Sequence, residues 1–288
     1  AHAPARPPGI SKRTDTVFND GKGIRVGDRM AGKVALISGS TRGIGRSIAE
    51  HFAAEGASVA VTGRTVQRGE KLVGRIRDAG GDAEFFELDV TSEDSVRSVV
   101  EATVKRFGAL HTLVNNAAPT DAVAGTVKPL HEYSNEEWER ILVGTLTGNV
   151  FWATKYAWPH LAAAPGASII NISSGQSLAG FKGFGAYAAA KGGVNSLTRT
   201  LAAEGSADGI RANCIIVGRV VASRGDSGLH TGGGRLTRIG NPMDIAYAAT
   251  YLASEEAAFT TGALITVDGG FSANGDAASA AEAGTAAV

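Results

Sequence analysis

The chain has 288 residues, in which 28 lysines and arginines balance 28 aspartates and glutamates and 43% of positions are apolar against 6% aromatic. Zero formal net charge argues against a protein whose affinity comes from neutralising nucleic-acid phosphates or anionic lipid, and a single cysteine, Cys214, rules out an intramolecular disulfide framework and a cysteine-built zinc site. The 39 glycines follow no period of three, which excludes collagen and points instead to tight turns and close backbone approach.

Residues 1–29, with prolines at 4, 7 and 8 and no apolar periodicity, read as an extension outside the core. They hold no apolar stretch of the secretory kind. No apolar run anywhere approaches the roughly 18 residues that span a bilayer, so a cytoplasmic protein without a membrane partner is expected. Met30 opens the domain proper, expected over 30–273. Within it, short runs rich in Val and Ile at 34–38, 58–62, 83–88, 112–115, 168–172, 211–217 and 263–267 predict strands. Segments of helical period at 43–55, 67–79, 92–107, 135–161, 187–205 and 242–253 separate most of them. Strands apolar on both faces and joined by helices imply a mostly parallel sheet covered on both sides. The expectation is a single-domain α/β protein, a doubly wound Rossmann fold with seven strands. Residues 274–288, rich in Ala and Gly, read as a flexible tail.

In such sheets ligands bind beyond the carboxyl ends of the strands, and the sequence there is informative. After the first strand comes Gly39-Ser-Thr-Arg-Gly43-Ile-Gly45, leading directly into a helix. Gly39 permits the turn, Gly43 lets backbone amides approach a pyrophosphate, and Gly45 lets the helix pack closely, its N-terminus toward the anion. The same glycine spacing at Gly228, Gly232 and Gly234 follows no strand and reads as a flexible loop. After the second strand, Gly63-Arg64-Thr65 offers a guanidinium where a carboxylate would bind the ribose 2′-hydroxyl of NAD, and Arg42 can bring a second charge to the same 2′-phosphate. The cofactor expected is therefore NADP.

The third strand ends in Leu88-Asp89-Val90, where Asp89 can either cap the next helix or accept a hydrogen bond from an adenine amino group. The fourth ends in Asn115-Asn116-Ala117-Ala118, and the amide of Asn115 can tie neighbouring loops together. Beyond the fifth strand lie Ser173-Ser174 and then Tyr187-Ala-Ala-Ala-Lys191. Residues four apart share a helix face, so Lys191 lies beside Tyr187, where an ammonium favours phenolate and lowers a pKa that starts near ~10. Hydrolytic readings fail. The six histidines (His2, His51, His111, His131, His160 and His230) show no metal-ligand spacing, and no Gly-x-Ser-x-Gly elbow occurs.

Taken in order, the glycine turn, Leu-Asp-Val, Asn-Asn-Ala, the Ser174, Tyr187 and Lys191 set, Arg-Ala-Asn213, Arg-Ile-Gly-Asn-Pro, Thr261-Gly262 and Val267-Asp268-Gly269-Gly270 resemble the short-chain dehydrogenase/reductase family over most of the chain. The likeness is greatest to the 3-oxoacyl carrier-protein reductases and related carbonyl reductases. The resemblance implies reversible, NADPH-dependent reduction of a carbonyl to a hydroxyl in a small-molecule substrate. Tyr187 would exchange the proton, Ser174 would orient the oxygen, and Lys191 would hold the nicotinamide ribose. Cofactor contacts would come from Gly39, Thr41, Arg42, Gly43, Ile44, Gly45, Arg64, Asp89, Val90, Asn116, Tyr187, Lys191 and Gly218. No metal is implied, and a homotetramer or homodimer is. The small residues Ala188, Ala189, Ala190, Gly192 and Gly193 on the catalytic helix are compatible with such close packing.

Three departures from the family pattern stand out. Thr145 occupies the position of an asparagine that holds a relay water, and its hydroxyl can instead bond its own helix carbonyl. Val217-Gly218 replaces Pro-Gly, and Ala118 replaces the last glycine of Asn-Asn-Ala-Gly. They motivate an alternative, a catalytically impaired family member that binds the nucleotide as a sensor or partner subunit. The segment 219–237 is the family's substrate lid; with Gly225, Gly228, Gly232, Gly233 and Gly234 it is expected to be mobile. Arg219, Arg224, His230 and Arg235 can meet an anionic substrate or belong to a solvated loop.

Overall fold

The structure, a computed structural model, describes residues 28–220 and 239–273. The tail expected at 274–288, nearly all of the 1–29 extension, and the lid residues Arg224, His230 and Arg235 with the lid glycines lie outside the described residues.

Seven strands form one sheet: β1 (Val34–Ile37), β2 (Ser58–Gly63), β3 (Asp82–Glu87), β4 (Thr112–Asn115), β5 (Ser168–Ser174), β6 (Arg211–Val217) and β7 (Leu264–Val267). Their order is β3-β2-β1-β4-β5-β6-β7 and every pairing is parallel. The sheet is thus wholly parallel, where the sequence predicted mostly so. Each strand alternates its apolar residues between two cores. Ala35, Ile37, Val59, Val61, Val114, Ile170 and Ile215 face one cluster, and Leu36, Ala60, Leu113, Ile169, Cys214 and Ile216 the other. That period-two division explains strands that are apolar throughout.

Helices α1 (Gly43–Ala54), α2 (Val66–Asp78) and α8 (Pro242–Ala253) cover the first face, with Ile48, Phe52, Leu72, Ile76, Ile245 and Leu252 inserted into it. Covering the second are α3 (Glu93–Phe107), α7 (Gly185–Gly205) and a long composite rod made of α5 (Asn135–Leu142), a π-helical stretch (Val143–Trp152) and α6 (Ala153–Ala162). The sequence placed one uninterrupted helix at 135–161. It missed the π-helical stretch and the short helix α4 (Thr120–Gly125) that precedes the rod.

Local chemistry fixes several helix starts. Ser92 caps α3 by accepting from the Ser95 amide, and Ser134 with Glu137 closes a reciprocal capping box on α5. Asn241 and Asp244 do the same for α8, with Pro242 inside the first turn. At the other end of the sequence, Arg29 pairs with the buried Glu55 at 2.6 Å, and Met30 lies wholly within the core. Among the described residues, no helix is long and apolar enough to cross a membrane.

Since β1 continues outward to β2 and β3 on one side and neighbours β4 on the other, the winding reverses between β1 and β4. That reversal opens a crevice at the carboxyl ends of these two strands, where a doubly wound sheet takes its ligand.

Candidate active site

The glycine turn sits at the mouth of this crevice. Gly39 (φ 63°) and Gly43 (φ 54°) both hold left-handed backbone, which disfavours any side chain. The turn is stitched to its neighbours: Ser40 N donates to Thr62 O at 2.8 Å, Thr62 N donates to Ser40 Oγ at 2.8 Å, and Gly39 N donates to Thr62 Oγ1 at 3.2 Å. Asn116 closes it from the far side, its Nδ2 donating to Ser38 O at 2.9 Å and Gly39 O at 3.1 Å. A Cβ at Gly45 would fall 2.5 Å from that same Nδ2, so glycine there makes room for Asn116. Gly63 makes room for Thr41 likewise, and Gly218 for Asp268. A Cβ at Gly43 would meet nothing within 4 Å, and α1 begins without a side-chain cap. Open space over an uncapped helix start fits a dinucleotide pyrophosphate.

Asp89 does not cap α3, because Ser92 has that task. Its Oδ1 accepts from Thr91 N at 2.9 Å and Thr91 Oγ1 at 2.7 Å, and Asp89 lines a cavity of about 400 Å³ with Arg64, Asp121, Glu136 and Arg140. Asn115 ties strands rather than loops: its Nδ2 donates to Asn171 Oδ1 at 2.8 Å, and Asn171 donates onward to Thr198 of α7 at 2.9 Å. Arg42 and Arg64 come together at the rim, both within 4 Å of the Asp121 carboxylate.

At the end of β5 the structure brings Ser174, Tyr187 and Lys191 together. The Lys191 Nζ lies 5.6 Å from the centroid of the Tyr187 ring and donates to the Ile172 carbonyl at 2.6 Å. Burial pushes the Lys191 ammonium down to about 8 and the Tyr187 phenol up to about 12, a hydrogen bond with Ser174 pulling the phenol the other way. The sequence led us to expect a phenol acidified by its ammonium neighbour. Desolvation outweighs that attraction here, and the ammonium spends its short hydrogen bond on a backbone carbonyl. Cys214 lies beneath, its buried thiol raised to about 11 and donating to Asn195 Oδ1 at 3.6 Å, in keeping with an inert core residue. Phe181 stacks on Phe271 with ring centroids 6.2 Å apart, and it packs with the buried Phe184, Tyr133 and Tyr187 in one apolar cluster.

Thr145 lies within the π-helical stretch, and its buried hydroxyl has no hydrogen-bond partner, not even the helix carbonyl expected for it. Two residues of the site went unnoticed in the sequence. The Ser38 hydroxyl accepts from Asn116 N at 2.9 Å and Ala117 N at 3.0 Å, and donates its proton to Asn149 Oδ1 at 2.6 Å. Asn149 thereby ties the rod to both cofactor loops. It reaches Ser38 from a widened helix that also brings Gly148 against Val90, where a Cβ would fall 1.6 Å from the Val90 carbonyl oxygen. The wider turn follows no propensity visible along the sequence. The small residues of α7 are partly spent within the chain, since a Cβ at Gly193 would meet Leu146 at 2.8 Å.

The fold and the open, uncapped helix start at its switch point are those of a doubly wound α/β protein with room for a dinucleotide. Comparison with known proteins narrows this. The family profile described as Enoyl-(Acyl carrier protein) reductase matches residues 39–272. Trans-4-hydroxycyclohexanecarboxylate dehydrogenase from Sinomonas cyclohexanicum is 42% identical over 254 residues, covering 85% of this chain and 95% of that protein. The NADP-dependent (R)-specific alcohol dehydrogenase of Lentilactobacillus kefiri is 35% identical over 257 residues, covering 85% and 99%. Among solved structures, a putative gluconate dehydrogenase from Agrobacterium tumefaciens superimposes with a TM-score of 0.77 at 30% identity, covering 85% of this chain and 98% of that one. The chain belongs to the short-chain dehydrogenase/reductase family, and it is an oxidoreductase whose family binds NAD(P).

Proposed function

We propose that residues 30–273 form an NADP-preferring carbonyl reductase, reversible as an alcohol dehydrogenase, acting in the cytoplasm as a homo-oligomer on a small secondary alcohol or its ketone. The observation that carries this reading is Tyr187 beside the buried ammonium of Lys191, 5.6 Å from its ring centroid, with Ser174 at the end of β5 near enough to lower the proton affinity of the phenol. When bound, the nicotinamide supplies or takes up the hydride at the substrate carbon. Every other task falls to the chain. Ser174 donates a hydrogen bond that orients the substrate oxygen. Tyr187, a phenol held protonated at neutral pH, gives its proton to that oxygen as alkoxide character develops and takes one back in the oxidative direction. Lys191 would hold the nicotinamide ribose and keeps its positive charge beside the phenol. Asn116, the glycine turn and Val90 hold the nucleotide, and Arg42 and Arg64 grip its 2′-phosphate. The apolar cluster of Phe181, Phe184 and Tyr133 packed with Tyr187 and the likeness to an alicyclic alcohol dehydrogenase both favour a cyclic ketone over a charged acyl thioester.

The test is a steady-state assay of NADPH and NADH oxidation against alicyclic ketones, sugars and acyl thioesters. Turnover of a cyclic ketone with the higher kcat/KM for NADPH is the expected result. Tight NADPH binding without turnover across the panel would replace this reading with the sensor or partner subunit, and equal or better efficiency with NADH would remove the NADP preference. Light scattering checks the oligomer.

A further inference from the structure

Arg42 and Arg64, as a 2′-phosphate site, share that site with an anion of the protein's own. Asp121, in the first turn of α4, places Oδ1 3.7 Å from an Arg42 Nη and Oδ2 3.6 Å from an Arg64 Nη. Each carboxylate oxygen faces a different guanidinium, which is how two oxygens of a phosphate would sit between them. Arg42 is held there further by donating to Thr120 Oγ1 at 2.8 Å. The three charges come from three separate segments: the glycine turn, the end of β2, and the chain that leaves β4 through Pro119 into α4. Both ion-pair separations exceed hydrogen-bond length, so the attraction is Coulombic and the guanidinium donors other than the one given to Thr120 stay available to a ligand.

We propose that Asp121 is a specificity-determining residue, an internal anion that competes with the 2′-phosphate of NADP(H) for Arg42 and Arg64 and so narrows the preference for NADP(H) over NAD(H). The inference rests on the proposed NADP preference. An incoming phosphate meets two cations and one carboxylate, and the repulsion from the carboxylate opposes part of what the arginines contribute. A ribose 2′-hydroxyl carries no charge to repel and can donate a hydrogen bond to the same carboxylate. The adjoining cavity offers no surplus of positive charge to offset Asp121, since Asp89, Glu136 and Glu139 line it with only Arg64 and Arg140 as cations. All three members of the cluster are exposed, at 59%, 66% and 70% for Arg42, Arg64 and Asp121, so solvent keeps the effect to that of surface ion pairs.

The experiment is calorimetric titration of 2′,5′-ADP and 5′-AMP, which carry the discriminating group without the nicotinamide, into the wild type, Asp121→Asn, Arg64→Ala, the double variant and Glu136→Gln. Asp121 is 70% exposed and its contacts are ion pairs at 3.7 and 3.6 Å, so the asparagine variant keeps the fold. Asp121→Asn should tighten 2′,5′-ADP by roughly two- to fivefold while leaving 5′-AMP unchanged. The gain should vanish in the Arg64→Ala background and be absent from Glu136→Gln. Loss of 2′,5′-ADP affinity in Arg64→Ala with no gain in Asp121→Asn overturns the role of Asp121 and leaves the phosphate site standing. An equal gain from Glu136→Gln overturns it too, by showing a diffuse effect of cavity charge. If 2′,5′-ADP binds no tighter than 5′-AMP and Arg64→Ala alters neither, the NADP preference itself falls.

Discussion

The crevice has two charged corners, and they differ chiefly in their access to water. At the inner corner, Lys191 is 2% exposed and Tyr187 stands half-buried against it, and burial separates their proton affinities from ordinary values in opposite directions. At the outer corner, Arg42, Arg64 and Asp121 are mostly exposed and sit at ion-pair distance without hydrogen bonds between them. Low dielectric makes each inner group expensive to alter, whereas solvent screens the outer ones. Under the proposed function, chemistry falls to the first corner and selection among cofactors to the second, because a proton transfer needs a fixed environment and a preference needs only a modest difference in affinity.

Removing the Tyr187 hydroxyl tests the inner corner most severely. Tyr187→Phe should lower kcat by roughly a thousandfold or more, the size of a lost general acid, with NADPH affinity within about threefold of wild type. Fluorescence titration beside the steady-state assay separates the two, and substantial residual turnover would remove Tyr187 from the reaction.

Next in size is the packing that supports both corners. Gly148→Ala puts a Cβ 1.6 Å from the Val90 oxygen, with backbone on both sides and no flexible end to yield. A loss of ~3 kcal/mol in urea-induced unfolding is expected, at the upper end for an overpacked site. A loss near zero would mean that the π-helical stretch can reseat itself.

Much of this was legible in the sequence because it depends on short-range rules. The glycine turn, the apolar strands and the Tyr187–Lys191 spacing each follow from conformation or period within a few residues, whereas the strand order β3-β2-β1-β4-β5-β6-β7 is set by long-range pairing. The π-helical stretch was not legible, since its residues read as ordinary helix and only tertiary contact between Gly148 and Val90 and between Asn149 and Ser38 distinguishes it. Asp121 was missed for a related reason. Its partners are far away in the chain and meet only when β2, β4 and α1 are assembled. The proton affinity of Tyr187 was misjudged because spacing reports a neighbouring charge but not the desolvation that outweighs it.

The outer corner should answer more gently. Arg64→Ala should reduce kcat/KM for NADPH by roughly ten- to thirtyfold, the equivalent of one charge-assisted contact, and for NADH by no more than about twofold. Equal losses with both cofactors would show that Arg64 supports the cavity wall instead of reading the phosphate.

The smallest expected effect returns to Lys191 and concerns stability, where its burial can be read without any cofactor. Its proton is held less tightly folded, at about 8, than at the ordinary 10.5, so the unfolded chain binds more protons between those values and stability rises with pH across that window. Tyr187, raised from 10.0 to about 12, and Cys214, raised from 9.0 to about 11, act in the opposite sense, because each keeps its proton longer when folded and its contribution is lost as pH climbs through those ranges. Between pH 7.5 and 9.5 the lysine should dominate. Relative to Lys191→Met, which has no ionisable group there, the wild type should gain about 1–2 kcal/mol over that interval, measured by urea denaturation at both ends. Tyr187 and Cys214, raised to about 12 and about 11, keep their protons when folded throughout that interval, with or without the lysine that lowers the thiol, so the subtraction removes them. An identical pH dependence in the two proteins would mean that Lys191 keeps its ordinary affinity for the proton, and the inner corner would then be as solvated as the outer one.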